Sequence, residues 1–269
     1  MRGTVVVSGA SSGIGRAAAR HVAGLGFEVL AGVRRASDAP DGTTPVLLDV
    51  TDAGAIDALV ARVGDAPLAG LVNNAGIAVG GPVEHLSADD WRRQFEVNLF
   101  GHVALTRALI PALRAGHGRI VNVGSIGGRQ AAPFLAPYAA SKFAMHAFSD
   151  ALRLELRDQG VRVALVEPGA IATDMWRKGD ETIDEVQAAL PAEMLARYRR
   201  GLDGARKAAN RAARNAIPAE RVAGVIEHAL TARRPRARYL VGADARAQAA
   251  IERLPAPARD RLLRLALGI

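Results

Sequence analysis

The segment Val5-Val6-Val7-Ser8-Gly9-Ala10-Ser11-Ser12-Gly13-Ile14-Gly15 decides the fold. Thr4–Ser8 reads as a short buried strand, and the chain from about Ile14 to Leu25 reads as a helix that Gly26 closes. The glycines between them permit a tight turn and let a pyrophosphate approach backbone N–H groups at a helix N-terminus. Their spacing is GxxxGxG, not the GxGxxG of the commonest dinucleotide fingerprint. An ordinary strand-to-helix turn has the same composition, so the turn alone leaves its ligand open.

Outward from this turn the same alternation continues. Strands are expected at Glu28–Val33, Pro45–Leu48, Leu68–Val72, Gly118–Val123, Val161–Glu167 and Arg238–Val241. Helices are expected at Ala53–Val63, Ser87–Leu113 with Ser87 as N-cap, Pro137–Asp158 and Ala219–Ala232. Short apolar strands without polar alternation, separated by helices, indicate a parallel sheet covered on both faces. Right-handed crossovers then lead to an α/β, doubly wound, three-layer sandwich of about seven strands. Residues 1–269 read as a single domain, with helical appendages free of strands at 174–218 and 242–269.

Composition narrows the class. The chain is 49% hydrophobic and 23% charged, which excludes a disordered chain. No apolar run approaches the roughly 20 residues of a transmembrane helix. Met1-Arg2-Gly3-Thr4 runs straight into a strand, so no signal peptide is expected. There is no cysteine, and the six histidines form no HxxxH or HxH pair, so neither disulfides nor a metal site is expected. A cytoplasmic location follows as the expectation. Net charge is +8, with 35 Lys+Arg against 27 Asp+Glu, which raises nucleic acid, an anionic surface or an acidic substrate as partners. Aromatics at 4% supply no base-stacking groove, so specific nucleic-acid binding is not expected.

Further signals fall at strand ends, where an open α/β sheet places its ligand crevice. Val33-Arg34-Arg35 ends the second strand with two guanidiniums and no carboxylate. Arg34 can bind a ribose 2′-phosphate bidentately, so NADP(H) is favoured, with NAD(H) as the alternative. Asn73-Asn74-Ala75-Gly76, Gly124-Ser125 and Glu167-Pro168-Gly169 follow later strands. Tyr138-Ala139-Ala140-Ser141-Lys142 opens a helix and sets a phenol and an ammonium one turn apart. An ammonium near a phenol favours phenolate and lowers its pKa, giving an acid/base group for an alcohol or carbonyl oxygen.

Together Gly9/Gly13/Gly15, Asn73-Asn74-Ala75-Gly76, Asn98, Ser125, Tyr138/Lys142 and Pro168-Gly169 resemble the short-chain dehydrogenase/reductase family in its compact single-domain, Rossmann-type form. The resemblance covers about residues 3–173 and returns at the last strand; Ser8 replaces the usual threonine, and Gly124 stands where the family often has serine. It implies an NAD(P)-dependent oxidoreductase with a catalytic set of Asn98, Ser125, Tyr138 and Lys142. In that set Tyr138 exchanges the proton, Lys142 tunes it and reaches the nicotinamide ribose, Ser125 orients the substrate oxygen, and Asn98 anchors a water. Gly9, Ser11, Ser12, Gly13, Ile14 and Gly15 are implied at the pyrophosphate. Arg34, Asp49, Val50, Asn74, Ala75 and Gly76 are implied on the adenosine side, and Pro168, Gly169, Ile171 and Thr173 at the carboxamide. The family commonly forms homodimers or homotetramers, through helices that correspond here to Ser87–Leu113 and Pro137–Asp158.

Residues 174–218 are expected to cover a small-molecule alcohol or carbonyl substrate, with Met175, Trp176, Met194, Leu195, Tyr198 and Leu202 as apolar elements. This segment is similar to that of members acting on steroids, retinoids or other hydrophobic alcohols. A carrier-bound 3-oxoacyl-thioester reductase is the competing enzyme reading. A nucleotide-sensing regulator would need no Tyr138 or Lys142, and a nucleic-acid-binding protein would use the basic C-terminal third. The charge excess lies there: residues 1–173 hold 16 basic and 15 acidic side chains, residues 174–269 hold 19 and 12.

Overall fold

The computed structural model describes residues 2–268, and the side chains of 176–182, Trp176 among them, lie outside the described residues. A seven-stranded, wholly parallel sheet forms the centre. Its strands are β1 (Thr4–Val7), β2 (Glu28–Val33), β3 (Thr44–Leu47), β4 (Leu68–Asn73), β5 (Arg119–Val123), β6 (Arg162–Pro168) and, after two short strands, β9 (Arg238–Val241). The spatial order 3-2-1-4-5-6-9 reverses direction between β1 and β4. That reversal opens a crevice at the carboxyl ends of the two strands.

Each strand sends alternate side chains to opposite faces. Val5 and Val7 enter one core with Ala18, Val22, Val222 and Ile226, under α1 (Gly13–Gly24) and α8 (Ala219–Thr231). Val6 enters the other with Leu59, Leu105, Leu109 and Leu152, under α2 (Ala53–Val63), α4 (Gly101–Ala115) and α5 (Ala136–Glu155). Burial on both faces explains why the strands read as unbroken apolar runs.

The long helix expected from Ser87 is interrupted. Ser87 does cap α3 (Ala88–Phe95), in a capping box with Asp90, but Glu96–Phe100 then form a π-helical turn before α4 begins. A π turn commonly marks a functional site. The expectation that 174–218 hold no strand is corrected: Ile217–Pro218 form β8, which pairs in parallel with β7 (Ile171–Ala172). The remaining residues of that segment form α6 (Met175–Ala189) and α7 (Ala192–Arg214). Leu202 on α7 is buried, and Met194, Leu195 and Tyr198 are half-buried, so the stripe packs inward. Tyr198 meets Phe134 edge-to-face at 6.1 Å, which lays α7 against the loop that leads into α5. After β9 come α9 (Ala243–Ile251) and α10 (Ala256–Leu267). Among the described residues no helix is long and apolar enough to cross a membrane.

Candidate active site

The Gly-rich turn is built so that little stands between its backbone and a ligand. Gly9 and Gly13 hold φ of +64° and +52°, which side chains other than glycine resist. A Cβ on Gly15 would lie 2.2 Å from the Gly9 carbonyl oxygen. Ser12 caps α1 without a side-chain hydrogen bond, leaving the first amides of the helix unclaimed by it. Ser11 is half-buried and Ser12 exposed at the rim, with Ile14 half-buried behind them. Amides at a helix start beside a side-chain-free cradle fit a phosphate group.

Asn74 locks this turn from β4. Its Nδ2 donates to the carbonyls of Ser8 and Gly9, both at 3.1 Å, while Ser8 Oγ accepts from the Asn74 amide at 2.9 Å. Ala75 presses on Gly9, and Gly76 stands exposed beside Asn98. Thr173 packs its methyl group against Gly13, so the segment after Pro168-Gly169 reaches back to the turn. Buried Ile171 starts β7, and the Gly169 and Ala170 amides bond the Val241 carbonyl and Asp244 Oδ2.

At the end of β2, Arg34 is exposed and makes no hydrogen bond or ion pair among the described residues. Arg35 is committed to Asp38 at 2.9 Å. Asp49 accepts from the backbone and side chain of Thr51, which holds its carboxyl below the usual range. Val50 is buried against Gly101, where a Cβ would strike the Val50 carbonyl.

The expected catalytic set converges at the ends of β5 and α5. Ser125 follows β5 and Gly124; its Oγ accepts from the Gly127 amide at 3.0 Å and stands with the Tyr138 ring beside Gly127. Lys142 lies one turn beyond Tyr138, buried, with Nζ donating to the Val123 carbonyl at 3.0 Å and 5.9 Å from the tyrosine ring centre. Burial lowers the Lys142 ammonium to about 8. The expected depression of the phenol is corrected: burial raises Tyr138, and the neighbouring Ser125 hydroxyl offsets only part of this. The lysine points into the β5 backbone and has itself lost its water, so desolvation outweighs its charge at the phenol.

Asn98 sits in the π turn, fully buried. Its amide bridges the Ile77 backbone, accepting at 2.9 Å and donating at 3.0 Å, and meets Ser141 Oγ at 3.3 Å. Its side chain therefore spans from the π turn to the chain after β4 and to α5.

The sequence reading missed several residues here. Gln94 accepts from the Val79 amide at 2.7 Å and donates to Ile77, doing for the next turn what Asn98 does. His102 is fully buried one turn after Asn98, lowered to about 3 by burial and then by the Lys142 charge. His146, one turn after Lys142, is lowered to about 4, chiefly by burial. Glu167, with no exposure, is paired through both carboxylate oxygens with Arg129, and Arg129 continues to Glu252 at 3.0 Å. A glutamate closing the apolar strand Val163-Ala164-Leu165-Val166 was the available signal, since a carboxylate there must find a cation.

The sequence profile of the family described as short chain dehydrogenase matches residues 3–184. The chain belongs to the short-chain dehydrogenase/reductase family. Among short-chain dehydrogenase/reductase relatives, an NADPH-dependent 3-dehydrocapnine reductase of Ornithobacterium rhinotracheale is 36% identical over 252 residues, covering 88% of this chain and 87% of that one. Retinol dehydrogenase 5 of Mus musculus is 38% identical over 259 residues, covering 90% and 81%. In structure the chain is similar to a short-chain dehydrogenase of Burkholderia cenocepacia in complex with NADP, with TM-score 0.74, 27% identity and coverage of 98% and 97%. It is equally similar to a short-chain dehydrogenase/reductase of Burkholderia phymatum in complex with NAD, with TM-score 0.76, 27% identity and coverage of 97% and 95%. As a short-chain dehydrogenase/reductase, the protein is an NAD(P)-dependent oxidoreductase.

Proposed function

We propose that this enzyme interconverts a secondary alcohol and a carbonyl, prefers NADP(H), and takes a lipophilic substrate. The observation that carries the reading is the Ser125–Tyr138 hydroxyl pair at the end of β5, with the Lys142 ammonium buried one turn behind. When bound, the nicotinamide supplies or accepts the hydride. Tyr138 Oη delivers the proton to the substrate oxygen during reduction and removes it during oxidation. Ser125 donates to the same oxygen and stabilises the charge that builds there. Lys142 places a positive charge under the ring and stabilises the phenolate left by proton delivery. A phenol held above its ordinary value stays protonated near neutral pH, which suits the reductive direction.

Gly9, Ser11, Ser12, Gly13, Ile14 and Gly15 would hold the pyrophosphate, and Arg34 the 2′-phosphate. Asp49, Val50, Asn74, Ala75 and Gly76 would border the adenosine, with Pro168, Gly169, Ile171 and Thr173 around the carboxamide. The NADPH dependence of the 3-dehydrocapnine reductase supports the cofactor preference, and the similarity to retinol dehydrogenase 5 supports a lipophilic substrate. Residues 174–218 cover that substrate in this reading, with the inward stripe of α7 as the apolar wall. Exposed Phe100, Phe143 and Leu154 on and beside α4 and α5 suit a homodimer or homotetramer contact. A cysteine-free chain fits a cytoplasmic enzyme.

The test follows nicotinamide absorbance with hydrophobic ketones, aldehydes, retinoids and 3-oxoacyl thioesters, each with NADPH and NADH. NADPH-driven reduction of lipophilic carbonyls is expected, and thioester-only turnover overturns the substrate class. Tyr138→Phe should lower kcat by about 10²–10⁴-fold while cofactor affinity changes by no more than about twofold. Near-normal turnover in that variant removes Tyr138 from the chemistry.

A further inference from the structure

Helix α10 carries Leu262, Leu263, Leu265 and Leu267, yet none of its residues is buried. A helix of this composition normally covers its apolar stripe against a core. Its inner edge does dock: Gly204 on α7 lies so close to the Leu267 carbonyl that a Cβ there would approach to 2.0 Å, and Arg200 Nε bonds the Gly268 carbonyl at 3.0 Å. The outer edge remains in solvent, with Leu262 43% and Leu265 70% exposed.

Cations outnumber acids beside those leucines, where Asp260 is the one carboxylate on α10. Arg261 and Arg264 flank them on α10, and Arg199, Lys207 and Arg211 project from α7 along the groove between the two helices. All five are exposed, and none has an acidic partner among the described residues. Arg197 and Arg206 on the same helix are by contrast paired with Glu193 and Asp184. Asp203 is the one carboxylate lining the groove among the described residues.

We infer that the α7–α10 face seats this protein on an anionic membrane surface. Unpaired cations beside outward leucines match both parts of such a surface, headgroup charge and the acyl boundary beneath it. A second copy on this face would set cation against cation. A polynucleotide would satisfy the charges and leave the leucines in water. The inner side of α7 bears Tyr198 on Phe134, so the seated face lies one helix away from the loop leading to Tyr138. The inference does not depend on the proposed reaction.

The experiment uses the full chain with sedimented vesicles of phosphatidylcholine alone or with about 30% phosphatidylglycerol. The chain has no cysteine, so Leu265→Cys accepts a single environment-sensitive fluorophore, and Leu47→Cys, 62% exposed on β3, is the control. Co-sedimentation with the anionic vesicles only, reversed at 1 M salt, is expected together with a blue shift at position 265 and none at 47. Arg261→Gln, Arg264→Gln and Lys207→Gln should each weaken binding about fivefold. Leu262→Gln with Leu265→Gln should weaken it about tenfold. Absence of co-sedimentation overturns the inference. Binding without a shift at 265, or insensitive to the leucine changes, reduces the effect to attraction of a +8 chain and overturns the assigned face. A concentration-dependent shift without vesicles assigns the face to a second copy and overturns it as well.

Discussion

Arg34 is a side chain held ready at a strand end: exposed after β2 and near Asp49, it makes no hydrogen bond or ion pair among the described residues, while its neighbour Arg35 is tied to Asp38. A guanidinium in that state can give both donors to a phosphate without first breaking a contact. Arg34→Asp should therefore lower the ratio of NADPH to NADH affinity by about 10–100-fold, measured by quenching or fluorescence titration. An unchanged ratio excludes Arg34 from the selection. At the same scale, Gly15 was legible from its motif, whereas the reason for it was not. Only the packed structure places its α-carbon against the Gly9 carbonyl and Asn74. Asn98 was legible as a residue, and its bonds to Ile77 and Ser141 were not, because they join segments far apart in sequence.

At the scale of elements, strand positions could be read because burial on both faces writes an apolar run into the chain. Glu28–Val33, Ala53–Val63 and Arg238–Val241 fall where the pattern puts them. The π turn escaped, since one extra residue per turn hardly alters a helical pattern over Ser87–Leu113. Strand β8 escaped because two residues carry no period. The ion pairs that join elements were also invisible: Glu167 lies near the end of β6, Arg129 follows the 3₁₀ turn after Ser125, and Arg238 on β9 stands 3.5 Å from the same carboxylate. Arg129→Met would leave a fully buried carboxylate with that longer contact alone. The expected loss is about 3 kcal/mol in urea unfolding, with partial recovery in Arg129→Lys. A loss below about 1 kcal/mol would show that Glu167 is neutralised by other means.

For the molecule as a whole, acid should be the weak side. His102 and His146 are held at about 3 and about 4 against an ordinary 6.5. The unfolded chain takes up these protons as pH falls below 6.5, and the native chain refuses them until far lower. Stability is thus complete above about 6.5 and is lost toward pH 4, by about 1.4 kcal/mol per pH unit for each histidine. Tm should fall steeply between about pH 6.5 and 4.5, and His102→Gln with His146→Gln should flatten that slope whatever the variant's absolute Tm. A slope equal to that of the parent would assign the acid sensitivity to other groups. The placement of β9 bears on how the molecule is made. Its partner β6 ends at Pro168, whereas β9 begins at Arg238, so during synthesis some seventy residues must emerge before that edge is closed. Until then Val163–Val166 present an unpaired, apolar strand edge carrying a carboxylate whose partner Arg238 has not yet been made. Truncation or pausing before Arg238 is therefore where nascent chains of this protein are most prone to aggregate.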